Sequence, residues 1–339
     1  MGGETVARYA EGAGMESVLE PRKIGRLSFV FPVYNEEEGL PFLRRELEAW
    51  MKEQSGRMTL EVVLVNDGST DASLPFCMDW ARANRCLRLV SFSRNFGHQA
   101  AVSAGLRYAT GDAVVIMDAD LQDPLRVVPE MIRRYEEGYD VVYGQRRERK
   151  GETAFKKASA WLFYRLLRHC VHKSIPADTG DFRLVSRRCV DIVNAMPEKQ
   201  RFLRGMFAWI GFPQIAVPYV RDERRFGTTK YPLHKMLRFA WTGITSFSSY
   251  PIRLVSVLGL CFSLIGFAGC LYALICYVAG SAVQGWTSLL CLQALLSGVV
   301  LLSIGITGEY VGKIFEELKC RPLYLVEKTF NVEEEELKR

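Results

Sequence analysis

The stretch Val114-Val115-Ile116-Met117-Asp118-Ala119-Asp120-Leu121-Gln122-Asp123-Pro124 decides how this chain folds. An apolar, β-branched run leads directly into three aspartates. That is the pattern of a buried strand ending at a cluster of hard oxygen ligands. In an open α/β sheet, ligands collect beyond the carboxyl ends of the strands. Asp118 and Asp120 are therefore candidates to hold one Mg²⁺ or Mn²⁺, with coordination positions left for substrate phosphate oxygens. The bland alternative is an acidic helix N-cap, because Pro124 suits a first helical turn. Asp123 is expected to be that cap, which leaves two further aspartates at the strand mouth.

Working outward, four more short apolar runs read as strands: residues 27–33, 60–66, 87–92 and 139–143. Helical segments separate them, up to residue 50, from the turn after Asp67 to about residue 84, and over 98–108. Alternation of this kind implies a mostly parallel, doubly wound sheet. Its carboxyl edge collects Asp67, Asp118, Asp120 and Arg146. The helix over 98–108 is rich in small residues and suited to close packing on the sheet. His98 at its start reads as a capping or surface histidine. Glu36, Glu37 and Glu38 suit the positive end of the first helix. No G-x-G-x-x-G follows the first strand and no G-x-x-x-x-G-K-[ST] occurs, which disfavours a dinucleotide oxidoreductase and excludes a P-loop ATPase.

The 339 residues are 49% hydrophobic and 24% charged, with a net charge of +6, but the distribution is uneven. Residues 254–308 contain no Asp, Glu, Lys or Arg, and 254–279 and 286–308 are each long enough to span a hydrocarbon core of roughly 20 residues. The expected topology is a two-helix hairpin with both ends on one side. Arg253, Lys313, Lys319 and Arg321 flank that side, so the positive-inside rule puts the catalytic domain and both termini in the cytoplasm. Residues 231–250 read as an interfacial amphipathic helix, and 153–172 as a basic amphipathic helix or a merely solvated face. Nine cysteines without a C-x-x-C pair argue for a reducing compartment rather than a disulfide framework or zinc site. Residues 1–23 lack an apolar core and are expected to be a loose tail rather than a signal peptide. Residues 321–328 are a candidate late strand on the catalytic domain, and the acidic end at 333–336 is expected to be solvated.

The segments V-F-P-V-Y-N-E-E, V-N-D-G-S-T-D, S-R-N-F-G-H-Q and M-D-A-D-L-Q-D-P resemble those of the inverting family 2 glycosyltransferases with the GT-A fold. More narrowly they resemble the dolichyl-phosphate mannose synthases and bactoprenol glucosyltransferases. The likeness runs from about residue 27 to the C-terminus. It implies that Pro32, Tyr34, Glu36 and Asp67 hold the nucleotide, joined by Asp118 and Arg146. It also implies that Asp118, Asp120 and Gln122 surround the metal. The segment Asp178-Thr179-Gly180-Asp181-Phe182-Arg183 resembles the T-G-D-F-R segment near the reacting sugar, which favours UDP-glucose as donor. Asp181 either orients sugar hydroxyls or assists as a weak base. Arg183, Arg201 and Arg204 join Asp120 and Asp181 as catalytic candidates, and Arg221, Arg224, Arg225 and Lys230 form a basic cluster for the acceptor phosphate.

The expected layout is a tail (1–24), a GT-A catalytic domain (25–230), the interfacial helix (231–250), two membrane helices (251–312) and a cytoplasmic C-terminal tail (313–339). The expected reaction is inverting sugar transfer to undecaprenyl phosphate at the plasma (inner) membrane, within cell-envelope glycan biosynthesis. No nucleic-acid partner is expected, and a homo-tetramer is implied by the resemblance. Two other readings stay open: a membrane-anchored transferase for glycan or protein acceptors, and a non-catalytic scaffold that the intact D-A-D disfavours. The absence of a Q-x-x-R-W motif argues against a processive synthase.

Overall fold

The apolar runs become strands because both of their faces are covered. The computed structural model describes residues 19–54, 56–146, 179–222, 250–278 and 285–332. Among them β1 (Arg26–Val33), β2 (Thr59–Asn66), β3 (Leu87–Phe92) and β4 (Ala113–Ile116) form a parallel centre in the order β4-β1-β2-β3. Nearly every residue of these strands is buried, as sheets covered by helices require. The covering helices are α1 (Leu40–Glu53), α2 (Ser73–Ala83), α3 (His98–Tyr108) and α4 (Val128–Glu136). Phe29 and Phe31 stack with centroids 6.1 Å apart, and Trp50 of α1 meets Phe29 edge-on at 5.1 Å. The small-residue helix α3 does pack closely: a Cβ on Gly105 would lie 2.1 Å from Val30 Cγ1.

The outer half of the sheet departs from a simple parallel winding. After β5 (Val141–Arg146), the strand β6 (Thr179–Ser186) enters antiparallel between β4 and β5. Helices α5 (Arg187–Ala195) and α6 (Leu203–Trp209) follow, and then β7 (Gln214–Tyr219), which runs parallel to β5. The eight-stranded order is β7-β5-β6-β4-β1-β2-β3-β8. The sheet is thus mixed, with four parallel strands at its centre. Because β6 runs backwards, its first residues lie where β4 ends: Arg183 pairs with Ile116. The expected late strand is present as β8 (Val326–Phe330), antiparallel to β3, with Tyr324 stacked on Phe92 at 4.8 Å.

A second unit holds two long helices, α7 (Tyr250–Val278, 29 residues) and α8 (Trp286–Leu318, 33 residues). Many of their described apolar side chains are exposed, among them Leu260, Leu264 and Phe267 on α7 and Leu301, Leu302 and Ile304 on α8. Among the described residues one segment, Leu296–Leu318, is long and apolar enough to cross a membrane. The 153–172 helix, nearly all of the 231–250 helix, the N-terminal tail up to residue 18 and the acidic end lie outside the described residues.

Candidate active site

The carboxyl edge of the parallel strands gathers the polar groups. At the end of β4 the D-A-D turn keeps Ala119 and Leu121 buried and leaves Asp118 and Asp120 partly exposed. Leu121 holds a φ of 48°, a left-handed conformation uncommon for leucine, so the surrounding contacts impose this turn. The Gln122 amide donates to Asp120 Oδ1 at 3.1 Å. Burial raises the Asp118 carboxyl; His98 partly offsets this, and the charges of Asp181, Asp123 and Asp120 raise it further.

Asp181, at the start of β6, is the hub of the edge. Its carboxylate accepts from Arg204 Nε at 2.7 Å, from Arg204 Nη2 at 3.3 Å and from Gln99 Nε2 at 3.3 Å, and lies 3.1 Å from His98 Nε2. Burial would raise its pKa, but Arg204 and His98 hold it well below the carboxylate range. A carboxylate held that strongly is a poor base. His98 is 3.8 Å from Asp118. Burial would lower its pKa, yet the bond to Asp181 and the charges of Asp118 and Asp181 push it up to about 9. The imidazole is a surface group at the start of its helix, as read from the sequence, with its side chain 42% exposed, and it also faces Asp118 and Asp181 at the candidate site. The signal was present in its place within S-R-N-F-G-H-Q, but the partner lies 83 residues away.

Asp67, at the end of β2, is almost fully buried. It accepts from the Phe96 amide at 2.6 Å, the Gly97 amide at 2.9 Å and Asn95 Nδ2 at 3.0 Å. Its first task is to fix the 95–97 loop, which leaves about one acceptor position for anything else. Gly68 must be glycine: its φ is +63°, and a Cβ would lie 2.3 Å from the Arg94 carbonyl carbon. Pro32 is half-buried at the end of β1 and Tyr34 is 46% exposed beyond it. The Glu36 amide donates to Ser73 Oγ at 2.9 Å. Glu37 does not serve its own helix; its carboxylate takes the Ala72 amide at the start of α2, 2.9 Å away.

The expected cap, Asp123, has another role. Among the described residues no side chain caps the turn Leu125–Val127, whose N-cap is Pro124. The Asp123 carboxylate, 2% exposed, accepts instead from the Tyr219 hydroxyl and lies 3.5 Å from Arg221 Nε and 3.8 Å from Arg146 Nη2. The structure thus places Arg146 and Arg221, assigned to donor and acceptor from the sequence, beside one carboxylate. Burial, then Asp123, raises the Tyr219 hydroxyl above the ordinary phenol range. The adjoining segment is tied down as well: the Asp222 amide donates to the Gln122 carbonyl at 3.0 Å, and Arg126 pairs with Asp222 at 2.6 Å.

Two of the catalytic candidates are occupied elsewhere. Arg183 is buried, donates to the carbonyls of Gly180 at 3.1 Å and Asp181 at 3.3 Å, and sits over the Phe207 ring. Burial brings its pKa down to about 10. Arg201 donates to the carbonyls of Val193, Met196 and Glu198 and so ties down the segment between α5 and α6. Both support the edge, and of the three arginines only Arg204 donates to the Asp181 carboxylate. Arg224, Arg225 and Lys230 lie outside the described residues. Among the described residues no three His, Cys, Asp or Glu side chains form a ready metal cage. Two aspartates still suffice for a Mg²⁺-type ion, which takes its remaining ligands from phosphate oxygens and water. The neighbouring charges of Asp181, Asp123 and Asp120, which raise the Asp118 carboxyl, are ones a bound cation would offset.

A mixed sheet with a D-A-D turn at its carboxyl edge is a GT-A-like arrangement. The sequence model of Glycosyl transferase family 2 matches residues 28–192. The chain is 46% identical over 313 residues to "Uncharacterized glycosyltransferase YkcC" of Bacillus subtilis (strain 168), covering 92% of this chain and 96% of that one. It is 38% identical to "Bactoprenol glucosyl transferase" of Shigella phage SfX, covering 89% and 98%. It is 37% identical to "Prophage bactoprenol glucosyl transferase homolog" of Escherichia coli (strain K12), covering 89% and 99%. The chain belongs to glycosyl transferase family 2, and it is a glycosyltransferase.

Proposed function

We propose that this glycosyltransferase moves a hexose from a nucleotide sugar, UDP-glucose in the first instance, to a polyprenyl phosphate at the cytoplasmic face of the membrane, with inversion. The observation that carries the reading is the composition of the carboxyl edge. Asp118 and Asp120 stand beside the Asp181–Arg204–His98 cluster, with Arg146 and Arg221 gathered on Asp123. Acidic groups for a metal-bridged diphosphate and guanidinium groups for phosphate thus share one edge. The relatives named for bactoprenol glucosyl transfer support the acceptor class.

The acceptor is already an anion, since a phosphate monoester has a second pKa of about 6. The protein need not deprotonate it; its residues need to align the two substrates and neutralise charge. Asp118 and Asp120, with Gln122, would hold Mg²⁺ or Mn²⁺, which as a Lewis acid stabilises the leaving diphosphate. Asp181, kept ionised by Arg204 and His98, orients sugar hydroxyls. Pro32, Tyr34, Glu36 and the free acceptor position of Asp67 line the nucleotide side. Arg221, with Arg224, Arg225 and Lys230, collects acceptor phosphate.

Membrane anchorage completes the reading. An α7 of 29 residues reaches about 43 Å and an α8 of 33 residues about 50 Å, both longer than the roughly 30 Å of a hydrocarbon core. We read them as a two-span hairpin with the catalytic domain cytoplasmic, assembled as a homo-tetramer. The test is transfer of labelled hexose from a panel of nucleotide sugars to undecaprenyl phosphate, with a free glycan and a protein as competing acceptors. Transfer to the lipid phosphate is the expected outcome; transfer only to glycan or protein overturns the acceptor assignment.

A further inference from the structure

We propose that Asp123 and Tyr219 are positioning residues that set where the Arg146 and Arg221 guanidinium groups stand at the active edge; this rests on the reading of those arginines as phosphate ligands. Four observations converge. Asp123 is a buried carboxylate one residue beyond the D-A-D-L-Q run, and it is neither a helix cap nor exposed enough to meet solvent. Its Oδ1 receives the Tyr219 hydroxyl and faces both arginines within 4 Å. The Tyr219 ring is seated in a gap that only glycine leaves: a Cβ on Gly144 would lie 2.8 Å from Tyr219 Cε1 and 2.8 Å from Phe182 Cδ1. Arg146 is hemmed in likewise, since a Cβ on Gly180 would lie 2.8 Å from its Nη2.

The charge count gives the cluster its purpose. One carboxylate faces two guanidinium groups, so the cluster keeps a net positive charge, close in sequence to the two aspartates of the metal turn. Among the described residues the Arg221 Nε is a buried donor without a hydrogen-bond acceptor. A buried, unpaired N–H is costly, and one more anionic oxygen at the cluster would satisfy it. A phosphate oxygen is that chemistry, and it can come from the nucleoside diphosphate or from the lipid phosphate. Asp123 and Tyr219 themselves touch neither substrate in this scheme. They hold the arginines in register on a strand end, so that the guanidinium groups are placed before substrate arrives.

The experiment uses the full-length protein in detergent. Tyr219→Phe, Asp123→Asn and Gly180→Ala are compared with wild type for KM and kcat with UDP-glucose and undecaprenyl phosphate. UDP binding is followed by calorimetry, and Tm is recorded. Gly180→Ala is the sharpest variant, because the atom it displaces is the far end of a flexible side chain and the fold has little to lose. The expected result is a rise of about tenfold in the KM for lipid phosphate or in the Kd for UDP, the size of one charge-assisted hydrogen bond, with Tm and kcat little changed in Gly180→Ala. The substrate whose affinity falls identifies which phosphate the arginines hold. Unchanged affinity for both, or a loss of Tm and kcat with no affinity change, overturns the proposal. If wild type transfers to no lipid phosphate, the acceptor reading fails by itself, and the UDP arm still decides whether the cluster positions phosphate ligands.

Discussion

Removing the Arg204 side chain tests the hub of the site most directly. Arg204 reaches Asp181 through two hydrogen bonds, at 2.7 and 3.3 Å, with side chains 28% and 11% exposed. Breaking a buried pair by deleting one partner costs about 3–5 kcal/mol. Here Asp181 keeps Gln99 and His98, and Arg204 is partly solvated, so we expect about 2–3 kcal/mol for Arg204→Ala. At about 2–4 °C per kcal/mol for a domain of this size, Tm should fall by about 4–12 °C. The chemical signature is separate. Burial raises the Asp181 carboxyl and Arg204 is the largest force lowering it, so without Arg204 its pKa climbs. A raised carboxylate takes up its proton at higher pH, so the acid limb of kcat should move upward in pH. The assay is a thermal melt paired with a pH–rate profile. In Arg204→Ala/Asp181→Asn the buried charge is gone, so Tm should recover while activity does not. An Arg204→Ala protein with unchanged Tm and an unshifted acid limb would refute the ion pair and the orienting role built on it.

Asp120→Asn should keep the fold and remove most turnover, and EDTA should silence the wild type until Mg²⁺ or Mn²⁺ is returned; full activity in EDTA would remove the metal from the scheme. In the metal-free protein the His98 pKa is raised to about 9 from an ordinary 6.5, so its stabilising contribution is complete below about pH 6.5 and disappears as pH rises through 9. Tm should therefore drop from pH 7 to pH 9.5 more in wild type than in His98→Gln, and equal drops would contradict the contacts with Asp118 and Asp181. Gly105→Ala should lower stability by about 1–3 kcal/mol through overpacking against Val30, read as a lower Tm with KM values unchanged. Protease applied outside sealed cells should spare residues 1–230, and cleavage there would reverse the proposed topology.

What could be read in advance follows the range of the forces involved. The parallel centre was legible because each of its strands is locally self-declaring: residues 27–33 and 60–66 are mostly apolar, broken only by Ser28, Glu61 and Asn66, and their observed bounds, Arg26–Val33 and Thr59–Asn66, differ by a single residue at one end. The D-A-D turn was legible for the same reason, since strand, aspartates and proline stand together in the chain. Antiparallel β6 was not, because T-G-D-F-R carries too much polarity to announce a strand, and its placement depends on pairing with β4 and β5 across distant sequence. With β6 went everything that β6 organises. Arg183 entered the catalytic candidates with the T-G-D-F-R resemblance, yet on an interior strand its guanidinium is buried and turns to carbonyls of its own strand. Asp123 looked like a cap because Pro124 follows it, and only the arrival of Tyr219, 96 residues later, makes it the acceptor of a buried hydroxyl. His98 needed the same long-range information to become a partner of Asp181. Residue type and local spacing offered Arg183 as a catalytic group and gave Asp123 and His98 only capping or surface roles. Which partner each met was decided by strand order, and strand order at this edge is set by one reversed strand. The candidate site is assembled because that reversal brings the first residues of β6 to the last residues of β4. A β6 running parallel would place Asp181 at the opposite edge of the sheet, away from Asp118, and would leave Arg204 and His98 without their common acceptor.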